Sequence, residues 1–257
     1  MDSHLTGIKA IFLDLDGTIY LGEELINGAL EFLERCIKKE IQYYFLSNNS
    51  SRSVDGYLSK LHDLGIPAKK EEIILSTHDL LSWLNNNEIN ETYLVGTEEM
   101  RKMLEGSGIN TRSKKPQYVV LGYDTEINYE KLMKSSIHLH NGVPLVASHP
   151  DIVCPSPDGG LPDVGAYLSL FEATCGIKAS HVCGKPNVGM IRHKIEELGL
   201  QPSECAMVGD RLYTDMEMAN RAGCLSILVL SGESTKNDVD KAPQEVDLVV
   251  NSVADIC

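Results

Sequence analysis

Residues 11–20 read IFLDLDGTIY, an apolar run that ends in two aspartates, Asp14 and Asp16. The run is rich in Ile, Leu and Phe, and this predicts a buried strand over residues 8–14. A buried strand does not carry two carboxylates without compensating partners, because removing charge from water costs free energy. The stretch therefore indicates a functional site at the end of this strand.

Two other interpretations of the same aspartates were weighed. An ordinary turn is one of them, since Asp and Gly favour turns. A calcium loop is the other, but it needs Gly at its sixth position and Glu at its twelfth. Counted from Asp14, those positions hold Ile19 and Leu25, so the calcium loop is rejected and the turn stays open.

Composition excludes several classes of partner. The chain has 257 residues and a formal net charge of -14, which argues against binding nucleic acid or an anionic membrane. No apolar run approaches the length of a membrane span, and the first apolar run is broken at Asp14, so we expect no secretory signal. Seven scattered cysteines without a C-x-x-C pair predict packing roles in a reducing cytoplasm.

Apolar runs alternate with segments of helical periodicity along most of the chain. A helix is predicted over residues 27–40, with Asn27 as its cap and Leu30, Leu33 and Ile37 on one face. Further predicted strands are IQYYFLS (41–47), ETYLVG (91–96), QYVVLG (117–122), VPLVAS (143–148), ECAMVG (204–209) and LSILVL (225–230). The alternation predicts an α/β fold whose parallel sheet is covered on both faces.

Polar side chains follow several of these strands, and ligands of α/β sheets bind outside the carboxyl ends of the strands. They comprise carboxylates, a hydroxyl, amides and an ammonium group: Asp14, Asp16, Ser47, Asn48, Asn49, Lys185, Asp210 and Asp215. Any one of them is explained as surface decoration, but the set together predicts a shared site.

The predicted chemistry is phosphoryl transfer. Asp14, Asp16 and Asp210 offer the hard oxygen ligands that Mg²⁺ prefers. Three carboxylates and a phosphate dianion carry a charge of about -5, which does not assemble unaided at short range. Mg²⁺ and Lys185 return about +3, and backbone N–H groups stabilise the remainder.

The stretches DLDGT (14–18), FLSNNSS (45–51), GKPN (184–187) and GDRLYTD (209–215), in this order, resemble the haloacid dehalogenase superfamily of phosphohydrolases. Their details resemble the subgroup of NagD and the p-nitrophenyl-phosphatase-like proteins. The resemblance implies a Rossmann-like parallel core from residues 1–77 and 181–257. It also implies an inserted α/β cap of the C2 type over residues 78–180, closing over the phosphate site.

The resemblance also implies roles for individual residues. Asp14 would be the nucleophile that forms an aspartyl-phosphate, and Asp16 the general acid and then the base. Asp16 would also bind Mg²⁺ through its backbone carbonyl, and Asp210 through its carboxylate. Lys185 would neutralise Asp14 and the phosphate, while Asp215 would orient Lys185 or a metal-bound water.

Phosphoryl oxygens would be held by Ser47, by Asn48 and by the backbone near Gly17. Residues 149–165 form the longest irregular segment, which we interpret as a binding loop, with a passive surface loop as the alternative. His149 and Asp151 are the expected cap-side contacts.

The family pattern starts this segment with Asn-x-Asp and ends it with Pro-Gly-x-Gly. This chain has Ser148-His149-Pro150-Asp151 at the start and Pro162-Asp163-Val164-Gly165 at the end. His149 and Asp163 are therefore departures from the pattern, and they put any substrate borrowed from a relative in doubt.

The predicted function is a Mg²⁺-dependent phosphatase of small phosphorylated metabolites, such as sugar or nucleotide phosphates, with a homo-oligomer through the cap left open. The alternative is a non-catalytic phospho-acceptor module with the same Asp, Mg²⁺ and Lys. Asp16 and the inserted cap favour turnover. Dehalogenase chemistry needs neither Mg²⁺ nor an acid at the second position, so Asp16 and Asp210 speak against it.

Overall fold

The computed structural model describes residues 4–155 and 159–256, so part of the 149–165 segment (residues 156–158) and Cys257 lie outside the described residues. Contacts between Cα atoms divide the chain into two compact units. Unit 1 comprises Met1–Ser47, Tyr57–Ile74 and Lys185–Cys257, and unit 2 comprises Asn48–Gly56 and Leu75–Gly184. The segment Asn48–Gly56, which was placed in the core domain, groups with unit 2. The domain boundaries at residues 78 and 180 stay a prediction.

The strands are β1 (Ala10–Asp14), β2 (Tyr20–Leu21), β3 (Glu24–Leu25), β4 (Gln42–Ser47), β5 (Ile73–Leu75), β6 (Thr92–Val95), β7 (Tyr118–Leu121), β8 (Leu145–Ala147), β9 (Val153–Cys154), β10 (Leu161–Pro162), β11 (His181–Val182), β12 (Cys205–Gly209), β13 (Leu225–Val229) and β14 (Leu248–Val250). The α-helices are α1 (Ala29–Lys38), α2 (Val54–Asp63), α3 (Ser76–Asn86), α4 (Glu98–Gly106), α5 (Tyr129–His140), α6 (Val164–Cys175), α7 (Gly189–Leu198), α8 (Glu217–Ala222) and α9 (Lys236–Val239). Across residues 4–155 and 159–256, no helix is both long enough and apolar enough to span a bilayer.

Unit 1 is built on a sheet of six described strands in the order β14-β13-β12-β1-β4-β5. Strand β1 pairs in parallel with β12 on one side and with β4 on the other, and β13 pairs in parallel with β12 and β14. All five residues of β1 are buried, as the apolar run predicts for a central parallel strand. On one face, Phe12 and Met207 pack in a cluster with Ile191 of α7 and Met218 of α8. The α/β fold class is confirmed.

Unit 2 has a parallel sheet of four described strands in the order β11-β8-β7-β6. One hydrophobic cluster joins this sheet to α3 and α4 through Leu84 and Leu104. A second cluster joins it to α5 and α6 through Leu139 and Phe171. Strands β9 and β10 form a short antiparallel hairpin, so the 149–165 segment is less irregular than expected.

The predicted cap and buried face of the first helix were wrong. Gly28, and not Asn27, precedes α1, and no side chain caps this helix. Leu33 is buried, but Leu30 is 36% exposed and Ile37 is 59% exposed. The buried residues, at the spacing i, i+3, i+4 and i+7 expected of one helix face, are Ala29, Phe32, Leu33 and Cys36.

The strand before Lys185 also differs from expectation. Lys185 was among the side chains expected to follow strands of the predicted sheet, after the short stretch HVCGKPN (181–187). Strand β11 instead pairs with β8 at the edge of the sheet in unit 2. Lys185 is the first residue after that unit, because the chain enters unit 1 between Gly184 and Lys185.

Candidate active site

A buried ion cluster lies at the carboxyl end of β1 in unit 1. The ammonium group of Lys185 donates hydrogen bonds to Asp14 Oδ1 and, at 2.7 Å, to Asp215 Oδ1. All three residues are buried. Burial opposes the charge of Lys185, but Asp14 and Asp215 outweigh it and raise the lysine pKa above its ordinary value. Lys185 is therefore cationic at neutral pH.

Asp215 lies in the π-helical turn Leu212–Met216, which follows β12. Burial raises the pKa of Asp215 to about 6, although Lys185 acts in the opposite direction. Its second oxygen accepts the backbone N–H of Arg211 at 3.1 Å. Both carboxylate oxygens of Asp215 are therefore engaged, one by a cation and one by the backbone.

Asp210 directly follows β12, the strand next to β1, and only 2% of its surface is exposed. Burial, and then the charges of Asp14 and Asp215, raise the pKa of Asp210 to about 8. Oδ2 accepts the backbone N–H of Glu233 at 2.7 Å, whereas the buried Oδ1 has no hydrogen-bond partner among residues 4–155 and 159–256. A buried carboxylate oxygen without a donor is costly unless something else occupies it.

A divalent cation fits this cluster. One carboxylate oxygen from each of Asp14, Asp210 and Asp215 lies within 4.8 Å of the others. Three buried carboxyl groups share the ammonium group of Lys185 and the nearby guanidinium of Arg211, so acidic groups outnumber cations in the cluster, and carboxylate oxygens are the ligands that Mg²⁺ prefers. Asp14 and Asp210 are the better metal ligands, because both carboxylate oxygens of Asp215 already accept hydrogen bonds, from Lys185 and from the backbone N–H of Arg211.

Asp16 stands apart from this buried cluster. Asp16 is exposed to solvent, yet nearby protein atoms partly remove its carboxyl group from water and thereby raise its pKa. The negative charge of Asp14 raises this pKa further. Lys60 and Arg211 act in the opposite direction without cancelling the rise. A raised pKa and access to solvent are the properties that a general acid requires.

The backbone at Gly17 is held close to Asp210. Its φ angle is +83°, and a Cβ atom there would lie 2.5 Å from Asp210 Oδ2, so only glycine fits. Its N–H donates to the Tyr20 carbonyl at 2.8 Å, and its carbonyl accepts Ser231 Oγ at 2.7 Å. The N–H of Gly17 is thus already engaged, and the phosphate contact expected from this turn stays a prediction. Nearby Thr18 is buried.

Ser47 ends β4, which lies on the other side of β1 from β12. The Ser47 and Tyr57 hydroxyl oxygens are 2.9 Å apart, and both residues are buried in unit 1. This contact fixes the Ser47 hydroxyl at the same edge of the sheet as Asp14.

A second group of candidate residues lies within unit 2. The Asn48 side-chain amide donates to both oxygens of Asp151, at 3.1 and 3.2 Å. The fully buried ring of His149 has Nδ1 3.7 Å from Asp151 Oδ2 and Nε2 3.5 Å from Asp163 Oδ1. Asp163 also caps α6 by accepting the N–H of Val164 at 2.6 Å.

The two departures from the family pattern, His149 and Asp163, therefore lie against each other. One atom from each of His149, Asp151 and Asp163 also lies within 4.8 Å of the others, a spacing that suits an ion. The two nitrogens of His149 face different carboxylates, which fits two separate polar contacts better than a shared ion.

Sequence reasoning missed four contributors in unit 1: Arg211, Tyr213, Ser231 and Glu233. The signal that could have found them is Gly232, in the stretch Ser231-Gly232-Glu233-Ser234 that follows an apolar run. A Cβ atom at Gly232 would collide with Asp210, so a glycine directly after a strand marks a close approach of the backbone.

Comparison with known proteins gives one family. Residues 11–110 match the model described as haloacid dehalogenase-like hydrolase, and residues 182–256 match the model described as HAD-hydrolase-like. The chain is 32% identical over 233 residues to the acid sugar phosphatase of Staphylococcus epidermidis, covering 90% of both chains.

Solved structures are similar over nearly the whole chain. The 4-nitrophenylphosphatase of Thermotoga maritima is 37% identical, with a TM-score of 0.94 and coverage of 97% of this chain and 96% of that one. NagD from Escherichia coli K-12 is 27% identical, with a TM-score of 0.89 and coverage of 97% and 98%.

Replacing Asp210 by Asn tests the surplus of negative charge. Burial raises the pKa of Asp210 in the folded protein from 3.8 to about 8, so the protonated form of Asp210 stabilises the fold. This stabilisation is complete below the ordinary pKa and is lost as pH rises through 8. In EDTA at pH 9, Asp210→Asn should therefore raise Tm by about 2–4 °C for each ~1 kcal/mol relieved, with a smaller gain at pH 6. Mg²⁺ should stabilise the wild type and not this variant.

The control is Asp63→Asn, which changes an exposed aspartate at the end of α2 and should leave Tm unchanged at both pH values. Thermal unfolding of the three proteins, with and without Mg²⁺, gives the comparison. A lower Tm for Asp210→Asn than for the wild type in EDTA at pH 9 would contradict the prediction.

Proposed function

This chain belongs to the haloacid dehalogenase-like hydrolase family and is a phosphatase of that family, and we propose that it hydrolyses small phosphate monoesters through an aspartyl-phosphate on Asp14, with Mg²⁺ as cofactor. The observation that carries the proposal is the buried cluster of Asp14, Lys185, Asp215 and Asp210. In this cluster, Asp14 ends a strand, Lys185 donates hydrogen bonds to Asp14 and Asp215, and the buried Oδ1 of Asp210 accepts no hydrogen bond from the described residues.

Asp14 and Asp210 would hold Mg²⁺ through their carboxylates, and Asp16 through its backbone carbonyl. When bound, Mg²⁺ lowers the negative charge on both the attacking carboxylate and the phosphoryl group. Support comes from the buried, unpartnered Oδ1 of Asp210 and from the raised pKa of this residue.

In the proposed reaction, an Asp14 carboxylate oxygen bonds to phosphorus as the bond between phosphorus and the alcohol oxygen breaks. Asp16 gives its proton to the departing alcohol. Asp16 then takes a proton from water, whose oxygen bonds to phosphorus while the bond to Asp14 breaks. Lys185 stays cationic throughout and offsets the charge of Asp14 and of the phosphoryl oxygens.

Ser47 and Asn48, together with the turn at Gly17, would hold the phosphoryl oxygens. The contact between Ser47 and Tyr57 fixes the hydroxyl in place before substrate binds, which avoids an ordering cost during binding. The Asn48 side-chain amide donates to Asp151, so its side chain is oriented by unit 2. The role of Asn48 toward phosphate rests on the family resemblance.

For the part of the substrate beyond the phosphate, we propose a sugar, contacted by Asp151. The contact expected from His149 stays a prediction, because its ring is fully buried against Asp151 and Asp163. The relatives named acid sugar phosphatase suggest this class. Carboxylate oxygens such as those of Asp151 accept hydrogen bonds from sugar hydroxyls. We also propose a cytoplasmic location, since the cysteines within residues 4–155 and 159–256 form no disulfide bond with one another.

Metal removal and loss of the nucleophile test the activity itself. The wild type should release phosphate from p-nitrophenyl phosphate with Mg²⁺, and EDTA should abolish this release. Asp14→Asn should lower kcat by more than about 10⁴-fold, a loss on the scale of removing a covalent nucleophile. A rate unchanged by EDTA would contradict the metal, and a near-normal rate for Asp14→Asn would contradict the nucleophile.

Asp16→Asn separates the two steps. The p-nitrophenolate group leaves without a proton, so this variant should still show a burst of about one p-nitrophenol per site, followed by a slow phase that lacks the base. A sugar phosphate, whose alcohol needs a proton, should lose about 10²–10⁴-fold without any burst. Stopped-flow absorbance and phosphate assays give the two rates. Absence of the p-nitrophenol burst would contradict the role of Asp16 as the acid of the first step. A long-lived aspartyl-phosphate in the wild type would favour the phospho-acceptor alternative.

A panel of phosphorylated metabolites tests the substrate class. Sugar phosphates should exceed nucleoside monophosphates in kcat/KM by at least about tenfold, which corresponds to about one additional hydrogen bond in the transition state. p-Nitrophenyl phosphate serves as the reference ester that lacks sugar hydroxyls. A flat profile across the panel would contradict the sugar assignment while leaving the phosphatase activity intact.

A further inference from the structure

The turn Ser231–Ser234, which follows β13 in unit 1, contacts two elements of the proposed active site. The N–H of Glu233 donates to Asp210 Oδ2 at 2.7 Å, and the N–H of Ser234 donates to the Asp210 carbonyl at 3.1 Å. The Ser231 hydroxyl donates to the Gly17 carbonyl at 2.7 Å. The turn thus connects the proposed metal ligand with the glycine turn after Asp16.

The side chain of Glu233 anchors this turn at two points. The Tyr213 hydroxyl donates to Glu233 Oε1 at 2.8 Å, and Arg211 Nε lies 3.0 Å from Glu233 Oε2. The Glu233 side chain is 45% exposed, so without these contacts it would sample several rotamers. Arg211 and Tyr213 both lie between Asp210 and Asp215 in the chain, which ties the turn to the segment that carries both acids.

The bond from the turn to Asp210 differs from the bond that holds Asp215. Lys185 neutralises Asp215 with a full positive charge. A backbone N–H is neutral, so it orients the Asp210 carboxylate without removing the negative charge that a cation needs. With Oδ2 held by Glu233, the buried Oδ1 is the oxygen of Asp210 that stays available to a ligand.

We propose that Glu233 is a positioning residue for the divalent cation. Its side chain, held by Arg211 and Tyr213, fixes the Ser231–Ser234 turn so that its own N–H orients Asp210. The inference rests on the proposed function, because it assumes that Asp210 binds the cation. Gly232 makes the approach feasible, since a side chain there would collide with Asp210.

Direct binding of Mn²⁺, used in place of Mg²⁺ and followed by electron paramagnetic resonance of the free ion, tests this role without turnover. Glu233→Ala should weaken Mn²⁺ binding by about 10-fold or more, the scale seen when a residue that orients a metal ligand is removed. Glu233→Gln keeps an oxygen for Tyr213 and should retain most of the affinity. The Tm of Glu233→Ala in EDTA should match the wild type.

The matched control is Glu217→Ala in α8. Glu217 is likewise held at both oxygens, by Arg221 at 2.8 Å and by Gln244 at 3.1 Å, but none of these contacts involves the cluster. This variant should bind Mn²⁺ as the wild type does.

Wild-type affinity in Glu233→Ala would overturn the positioning role while leaving the proposed function standing. A loss of Mn²⁺ affinity in a variant whose Tm in EDTA is also lower than that of the wild type would overturn the positioning role as well. That result would favour a purely structural role for Glu233. No Mn²⁺ binding by the wild type would instead overturn the metal-dependent function, and the positioning role with it.

Discussion

The ammonium group of Lys185, buried between Asp14 and Asp215, is the interaction on which the site depends. Burying three charged groups costs several kcal/mol per ion before their attraction is counted, so such a cluster is a poor device for stability. Removing one member would leave its partners buried and uncompensated. The cluster is better explained by chemistry, because it holds the Asp14 carboxyl group oriented beside a buried cation at the end of a rigid strand.

The parallel sheet explains why these groups meet. Strand β1 lies between β12 and β4, and Leu13 pairs with Val208 while Asp14 pairs with Leu46. Parallel neighbours end at the same edge, so Ser47, Asp14 and Asp210 follow one another in this order across that edge. Glycines then allow the close approaches, because a Cβ at Gly209 would collide with Asp215 and one at Gly232 with Asp210.

The parts of the site that follow strands could be predicted from sequence. A buried apolar run that ends in Asp, as at Asp14, is a local pattern, and the parallel sheet converts several such patterns into one site. The sheet that a short strand joins depends on residues far away in the sequence. This is why the sequence did not show that the strand before Lys185, β11, belongs to the sheet of unit 2. Sequence periodicity also left the buried face of α1 ambiguous, since Leu30 and Ile37 are as apolar as Leu33.

Residues that act through other residues were harder to find. Glu233 is half-exposed, and the neighbouring Gly232 is the one local signal beside it, because its two partners, Arg211 and Tyr213, lie 22 and 20 positions away. His149 and Asp163 were noted as departures from a family pattern, but their proximity arises from the fold of the 149–165 segment. No local sequence pattern predicts that these two side chains meet, since neither residue restricts the backbone conformation next to the other.

The net charge of -14 gives the metal a second role in the proposed mechanism. The overall field repels a phosphate dianion at long range, so recognition depends on positive charge within a few ångströms. Lys185 shares its charge with Asp14 and Asp215, and Arg211 shares its charge with Glu233. In this mechanism the bound cation would therefore contribute much of the affinity for the phosphate group. If the cation raises the affinity for the phosphate ester by some factor, the ester must raise the affinity for the cation by the same factor. The two ligands would therefore bind cooperatively.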